Sequence, residues 1–407
     1  MSRKIRLIGI LLLGFYSLCF AQKTERNNSH FIEPEYMIGK IVPLSKKFVF
    51  PPMGYQKAVA INYGFTNNDT TKWGKYYNYA ESGFMLQYSN LGNNKIFGHQ
   101  LSLLPFVSFR VFNNFKHPFK VKLGAGVAYF TTRFDSLSNP QNELIGSAFT
   151  WDVKVFLYKS IYKRGGFQLK LGAGFSHESN GHTRLPNLGI NSTMASISGQ
   201  FYNQKEDNHF KPKRVKRQNV SPKNYYITLE EGIGFHEQDD TEGPKMGVLK
   251  PVYSSDLSAA VLFNKHIKLR AGFTYRLYKQ YYDHVVENQI EKLIDNPTWS
   301  ASNVSFYLGN EFLMGHMSID VLLGVNLHKP FFRQFNQGTE LGITLQKTLL
   351  TRVGLNLYLI NTHKLPVHNL FIGAHIKANM AKADYTDITL GYTYRFNANR
   401  KTHHYVY

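Results

Sequence analysis

The sequence predicts an all-β fold: a transmembrane antiparallel up-and-down β-barrel of about 12–16 strands. Three observations carry that expectation. Segments of about ten residues alternate apolar and polar along most of the 407 residues, aromatic residues reach 15% against only 18% charged, and helix-period runs are nearly absent. Strand side chains have a period of two, so each segment presents one apolar face and one small or polar face. Lipid outside and a polar lumen inside require that pattern. A secreted β-sandwich also alternates, but strand number, Tyr and Phe density and the lack of disulfides favour the barrel.

The elements follow in chain order. Arg3, Lys4 and Arg6 precede an apolar run over 7–20, and Cys19-Phe20-Ala21 offers small residues for cleavage before Gln22. Residues 1–21 therefore read as a signal peptide, since so short a run spans a bilayer poorly. Residues 22–55 alternate little and read as an extended lead-in. The barrel is expected over 56–396. Its first alternating segments are 57–65, 82–89, 100–112, 119–134, 149–158, 167–179 and 191–202. They continue at 225–235, 254–263, 267–278, 304–312, 317–327, 340–349, 353–360, 369–378 and 387–396. A helix-like run at 283–294 is expected in a loop. In the last segment Ile388, Leu390, Tyr392, Tyr394 and Phe396 share one face. A terminal strand ending in Phe resembles the recognition signal of outer-membrane barrels, and residues 397–407 follow it as a C-terminal extension.

Cys19 is the only cysteine, so the chain after cleavage has none. Disulfide scaffolds, cysteine nucleophiles and cysteine-bound metal are excluded together. The formal charge is +21, and subtracting the three basic residues of the signal leaves +18. So basic an exported chain points to anionic lipid headgroups rather than to nucleic acid. The connection over 203–223 holds the basic run Lys211-Pro212-Lys213-Arg214-Val215-Lys216-Arg217, a candidate clamp for lipid phosphates or simply a solvated loop. The acidic stretch 236–248 matches no calcium-loop spacing, so no metal is expected.

Chemistry concentrates at 177–191. In the segment 167–179 the apolar residues fall on odd positions, which puts His177 and Ser179 on the apolar, outward face. A serine beside a histidine can form a base–nucleophile pair, and one on this face meets its substrate from the lipid side. Asn180 and Asn187 are amide donors close to the turn, while Gly181 and Gly189 permit close backbone approach. Asn191 shares the outward parity and returns beside the pair if the turn is tight.

The pattern His177-x-Ser179-Asn180 followed by Pro186-Asn187-x-Gly189-Ile190 resembles the signature of the outer-membrane lipid A 3-O-deacylase family, whose longer relatives are called acyloxyacyl hydrolases. Ile41-Val42-Pro43, Leu91-Gly92-Asn93-Asn94 and Leu104-Pro105-Phe106 add a looser likeness to the longer members. The resemblance implies an outer-membrane esterase acting on lipid A of lipopolysaccharide, with no cofactor. It implies Ser179 as nucleophile, His177 as general base, and Asn180 and Asn187 as oxyanion donors, with Gly189 in the same turn. Arg184 is the candidate contact for a glucosamine phosphate, with His182 beside it. The family's third triad member is a glutamate, and its position here is Asn191. Asparagine can accept the imidazole N–H but cannot supply negative charge. Glu230 and Glu231 are alternative acids; Glu178 points to the opposite face. The competing expectation is a non-enzymatic barrel, porin or structural, that keeps a degenerate motif.

Overall fold

The computed structural model describes residues 29–42, 51, 53–66, 79–111, 118–203, 223–237, 249–263, 265–334, 340–380 and 382–396. Sixteen antiparallel strands close into two eight-stranded barrels. The first holds β1 (Ser29–Ile41), β2 (Gln56–Thr66), β3 (Glu81–Asn90), β4 (His99–Arg110), β5 (Phe119–Phe130), β6 (Phe149–Arg164), β7 (Phe167–Ser179) and β8 (Ile190–Tyr202). The second holds β9 (Asn224–His236), β10 (Lys250–Phe263), β11 (Ile267–Tyr278), β12 (Ser302–Met314), β13 (Met317–His328), β14 (Leu349–Tyr358), β15 (His368–Asn379) and β16 (Lys382–Phe396).

The expected single barrel over 56–396 is thus two, over 29–202 and 224–396. The reason lies in long-range pairing. Phe31 of β1 pairs with Tyr202 of β8, so the first circle completes before the 203–223 connection. Phe396 of β16 pairs with Tyr225 of β9 and closes the second. Most of the described part of the expected lead-in is strand β1, and the segment over 340–349 is instead mostly a helix. The candidate clamp at 211–217, the signal peptide at 1–21, the extension at 397–407 and most of the acidic stretch lie outside the described residues.

Alternation does the work the sequence assigned to it. Along β9 Tyr225, Ile227, Leu229, Ile233 and Phe235 are exposed on the outer wall, while Tyr226, Thr228 and Glu230 are buried inside. An eight-stranded barrel has room inside only for side chains, and here those are charged and paired. In the first lumen Lys170 contacts Glu33 at 2.6 Å, Lys122 contacts Glu35 at 3.4 Å, and Lys154 contacts Asp152 at 3.2 Å. In the second, Arg352 bridges Glu230 at 3.1 Å and Asp320 at 2.9 Å, and Arg270 also binds Glu230. Each buried charge would be costly alone, and the opposite charge beside it offsets the desolvation.

Turn chemistry follows the strands. Gly165 and Gly166, joining β6 to β7, have φ of 60° and 81°. Two successive positive φ values make the type I′ turn whose twist suits a tight hairpin. At the opposite end of the first barrel, connections 91–98, 131–148 and 180–189 meet over an apolar cluster. Leu91, Ile96, Phe97, Leu144, Ile145 and Ile190 are buried there and floor the 180–189 turn. At the corresponding end of the second barrel lie α1 (Lys279–Glu287), α2 (Pro297–Ser300) and α3 (Glu340–Thr348). The helix-like run expected near 283–294 thus begins earlier, as α1.

Candidate active site

The site is built on the last residues of β7, the turn after it and the first residues of β8. The antiparallel register sets His177 opposite Asn191 and, on the other side, Ser179 opposite Trp151 of β6. All four project outward. The imidazole Nδ1 of His177 lies 2.7 Å from Asn191 Oδ1. A carbonyl oxygen can only accept, so Nδ1 carries the hydrogen and Nε2 is left with its lone pair. That is the tautomer a general base needs.

Ser179 is buried beneath the turn. Its Oγ accepts the Asn187 side-chain amide at 2.9 Å and the Gly181 backbone N–H at 3.2 Å. Two donors occupy its acceptor positions, which directs the hydroxyl proton elsewhere. Asn187 is fixed in turn, since its Oδ1 accepts the Asn180 N–H at 3.1 Å.

Asn180 departs from expectation. Its side-chain amide donates to the Arg184 carbonyl at 2.6 Å, bracing the turn rather than facing Ser179. The second donor to Oγ is the next backbone N–H, that of Gly181. Gly181 has φ of 63° and Gly189 has φ of 73°. At Gly189 a Cβ would sit 3.2 Å from His177 Cε1 and 3.0 Å from the Glu178 carbonyl, so glycine lets this strand start close over the imidazole. The Gly189 N–H donates to Leu144 O at 3.0 Å, tying the turn to the 131–148 connection.

Arg184 is exposed and, with Arg133, lines a recess of about 300 Å³ next to the turn. Asp135 also lines it; N–H groups of Leu137 and Ser138 donate to its carboxylate at 3.0 and 2.8 Å, which holds its pKa below the usual range. His182 is buried and stacks on His236 of β9, ring centroids 5.9 Å apart. The alternative acids lie away from the imidazole. Glu178 points into the first lumen near Lys154 at 3.6 Å, Glu230 binds arginines in the second lumen, and Glu231 accepts from Ser255 on the second barrel's outer wall at 2.7 Å.

Residues that sequence reasoning missed come from the second barrel. The Thr386 hydroxyl lies 3.3 Å from the Asn180 carbonyl and 3.2 Å from Trp151 Nε1. The Glu237 carboxylate accepts the Leu185 N–H at 2.8 Å. These partners stand some 50 to 200 residues from the turn, so no local spacing signals them. Among the described residues no group of three or more His, Cys, Asp or Glu is placed to hold a metal ion.

Comparison with known proteins divides the chain as the fold does. The lipid A 3-O-deacylase (PagL) family model matches residues 60–200. The model of the acyloxyacyl hydrolase C-terminal domain matches residues 224–398. No curated protein matches. Among solved structures, the outer membrane enzyme PagL is 17% identical, with 41% of this chain and 97% of that one covered and a TM-score of 0.31. A deletion mutant of the TodX monoaromatic hydrocarbon channel is 9% identical, with 91% of both chains covered and a TM-score of 0.19. CdiB from Acinetobacter baumannii is 11% identical, with 90% of this chain and 60% of that one covered and a TM-score of 0.17. Matched by a family model in each of its two barrels, the chain belongs to the lipid A 3-O-deacylase and acyloxyacyl hydrolase family of the Gram-negative outer membrane.

Proposed function

We propose that the protein is a serine esterase that removes a fatty-acyl chain from lipid A through an acyl-enzyme. The observation that carries this reading is the His177–Asn191 contact of 2.7 Å on the outer wall, two residues from Ser179. The wall faces lipid, so an acyl ester approaches this constellation from within the membrane. Ser179 Oγ attacks the ester carbonyl and passes its proton to His177 Nε2. His177 then protonates the leaving oxygen, and afterwards takes a proton from the water that releases the fatty acid. Asn187 Nδ2 and the Gly181 N–H are the donors beside the attacked carbon, where the oxyanion forms. Arg184 and Arg133, at the 300 Å³ recess, supply positive charge for a sugar phosphate. The chemistry requires no cofactor.

The test is mass spectrometry of lipid A from cells expressing wild-type or Ser179→Ala protein. Loss of one acyl chain only with the wild type supports the reading. Identical acyl patterns, with both proteins folded in the outer membrane, would sink it.

A further inference from the structure

The peptide group joining Asn180 to Gly181 has both ends engaged. Its N–H donates to Ser179 Oγ at 3.2 Å. Its carbonyl meets Thr183 Oγ1 at 2.8 Å, from the same turn, and Thr386 Oγ1 at 3.3 Å, from the second barrel. Thr386 sits on the outward face of β16, and Trp151 Nε1 lies 3.2 Å from its hydroxyl oxygen. The indole N–H can only donate, so the Thr386 hydroxyl accepts from Trp151 and directs its own hydrogen to the Asn180 carbonyl. The chain of bonds therefore runs from Trp151 through Thr386 and the 180–181 peptide to the nucleophile.

Two further contacts grip the same turn from the second barrel. Glu237 accepts the Leu185 N–H at 2.8 Å, and His236 stacks on His182 at 5.9 Å. Gly181 itself lies against Thr386, and a Cβ there would also come within 3.5 Å of Ile376 Cγ2. The turn is thus held from outside its own barrel at Asn180 and Gly181, at His182 and at Leu185. A turn with φ of 63° at Gly181 and 68° at His182 has other backbone conformations open to it, and these contacts select one.

We infer that the second barrel is a positioning element for the active site of the first: Thr386 orients the 180–181 peptide so that the Gly181 N–H faces Ser179 and the oxyanion. This rests on the reading of Ser179 as nucleophile for its effect on rate, and on geometry alone for the anchoring. Thr386 touches no reacting atom, so its effect belongs to turnover rather than to substrate affinity. A donor aimed at an oxyanion is worth about a hundred- to a thousandfold in turnover, and misaiming it loses part of that.

The experiment uses the full chain in detergent micelles, wild type against Thr386→Val, Thr386→Ser, Trp151→Phe and Ser179→Ala. Asn180-Gly181 is the only Asn-Gly pair in the sequence. Carbonyl-labelled Asn with amide-labelled Gly therefore gives one NMR signal, that of this peptide. Thr386→Val is expected to shift the signal, speed its amide exchange and lower kcat about ten- to a hundredfold, with KM within about twofold. Thr386→Ser restores both readouts, and Trp151→Phe gives a partial effect. An unmoved signal in Thr386→Val overturns the anchoring. Unchanged turnover in Thr386→Val, where Ser179→Ala is inactive, overturns the positioning role. If the wild type turns over no ester, the nucleophile reading fails, and the NMR signal alone still decides whether Thr386 holds the peptide.

Discussion

At His177 the geometry separates two tasks that a carboxylate performs together. Asn191 Oδ1, at 2.7 Å from Nδ1, fixes the ring and its tautomer. It carries no charge, so in the proposed mechanism the imidazolium lacks a counter-ion. Loss of the equivalent charge in serine proteases, where the tautomer is also lost, costs about ten-thousandfold. Asn191→Asp keeps the size and adds the charge. It is expected to raise kcat on a short-chain acyl ester at least about tenfold, read by steady-state kinetics in detergent; unchanged or lower turnover would show that orientation alone limits the site. At this scale much was legible. Parity and one short turn bring His177, Ser179 and Asn191 together, because strand period is fixed by covalent geometry. What Asn180 does was not legible. Two adjacent donors, its side chain and the Gly181 N–H, compete for one oxygen, and backbone conformation decides between them. Thr386 was out of reach of any local reading, since its contact with the turn exists only once two barrels touch.

Among the elements, β1 shows why a strand can hide. Glu33 and Glu35 point inward to Lys170 and Lys122, and Pro34 points outward. Read locally, two acids and a proline break the apolar alternation. In the fold the acids are lumen groups with partners more than eighty residues away, and the β1–β8 pairing omits Pro34, which has no N–H to give. The opposite error occurs at α3, where a short run of mixed residues suits either period. The β10–β11 connection carries a consequence for pH. Burial first, then the neighbouring His363 and Lys265, push His266 down to about 3 from 6.5. Below about pH 6.5 the unfolded chain takes up a proton that the folded chain refuses. Stability from this group is therefore complete above pH 6.5 and is lost as pH falls toward 3. The heat-modifiability midpoint on gels should fall between pH 7.5 and pH 5 in the wild type and fall less in His266→Gln. An equal fall in both would assign the pH effect elsewhere.

For the whole molecule, strand class and the range of strand number were legible while closure was not. Each hairpin of an up-and-down barrel looks the same locally, and only pairs such as Phe31 with Tyr202 tell where a circle ends. The usable hint was the long connection over 203–223, midway through the strands. Closing as two circles also changes what the lumens are, since one sixteen-stranded ring would enclose an aqueous channel. The outward placement of His177 and Ser179 has a kinetic corollary. Molecules reaching that wall diffuse within the membrane plane, so the governing concentration is an areal one: the mole fraction of substrate in the surrounding amphiphile. Diluting a fixed amount of substrate with inert detergent, at constant volume, should lower the rate in proportion to that mole fraction. A rate that follows bulk molarity instead would mean that substrate arrives from water, and that the lipid-facing wall is not its route.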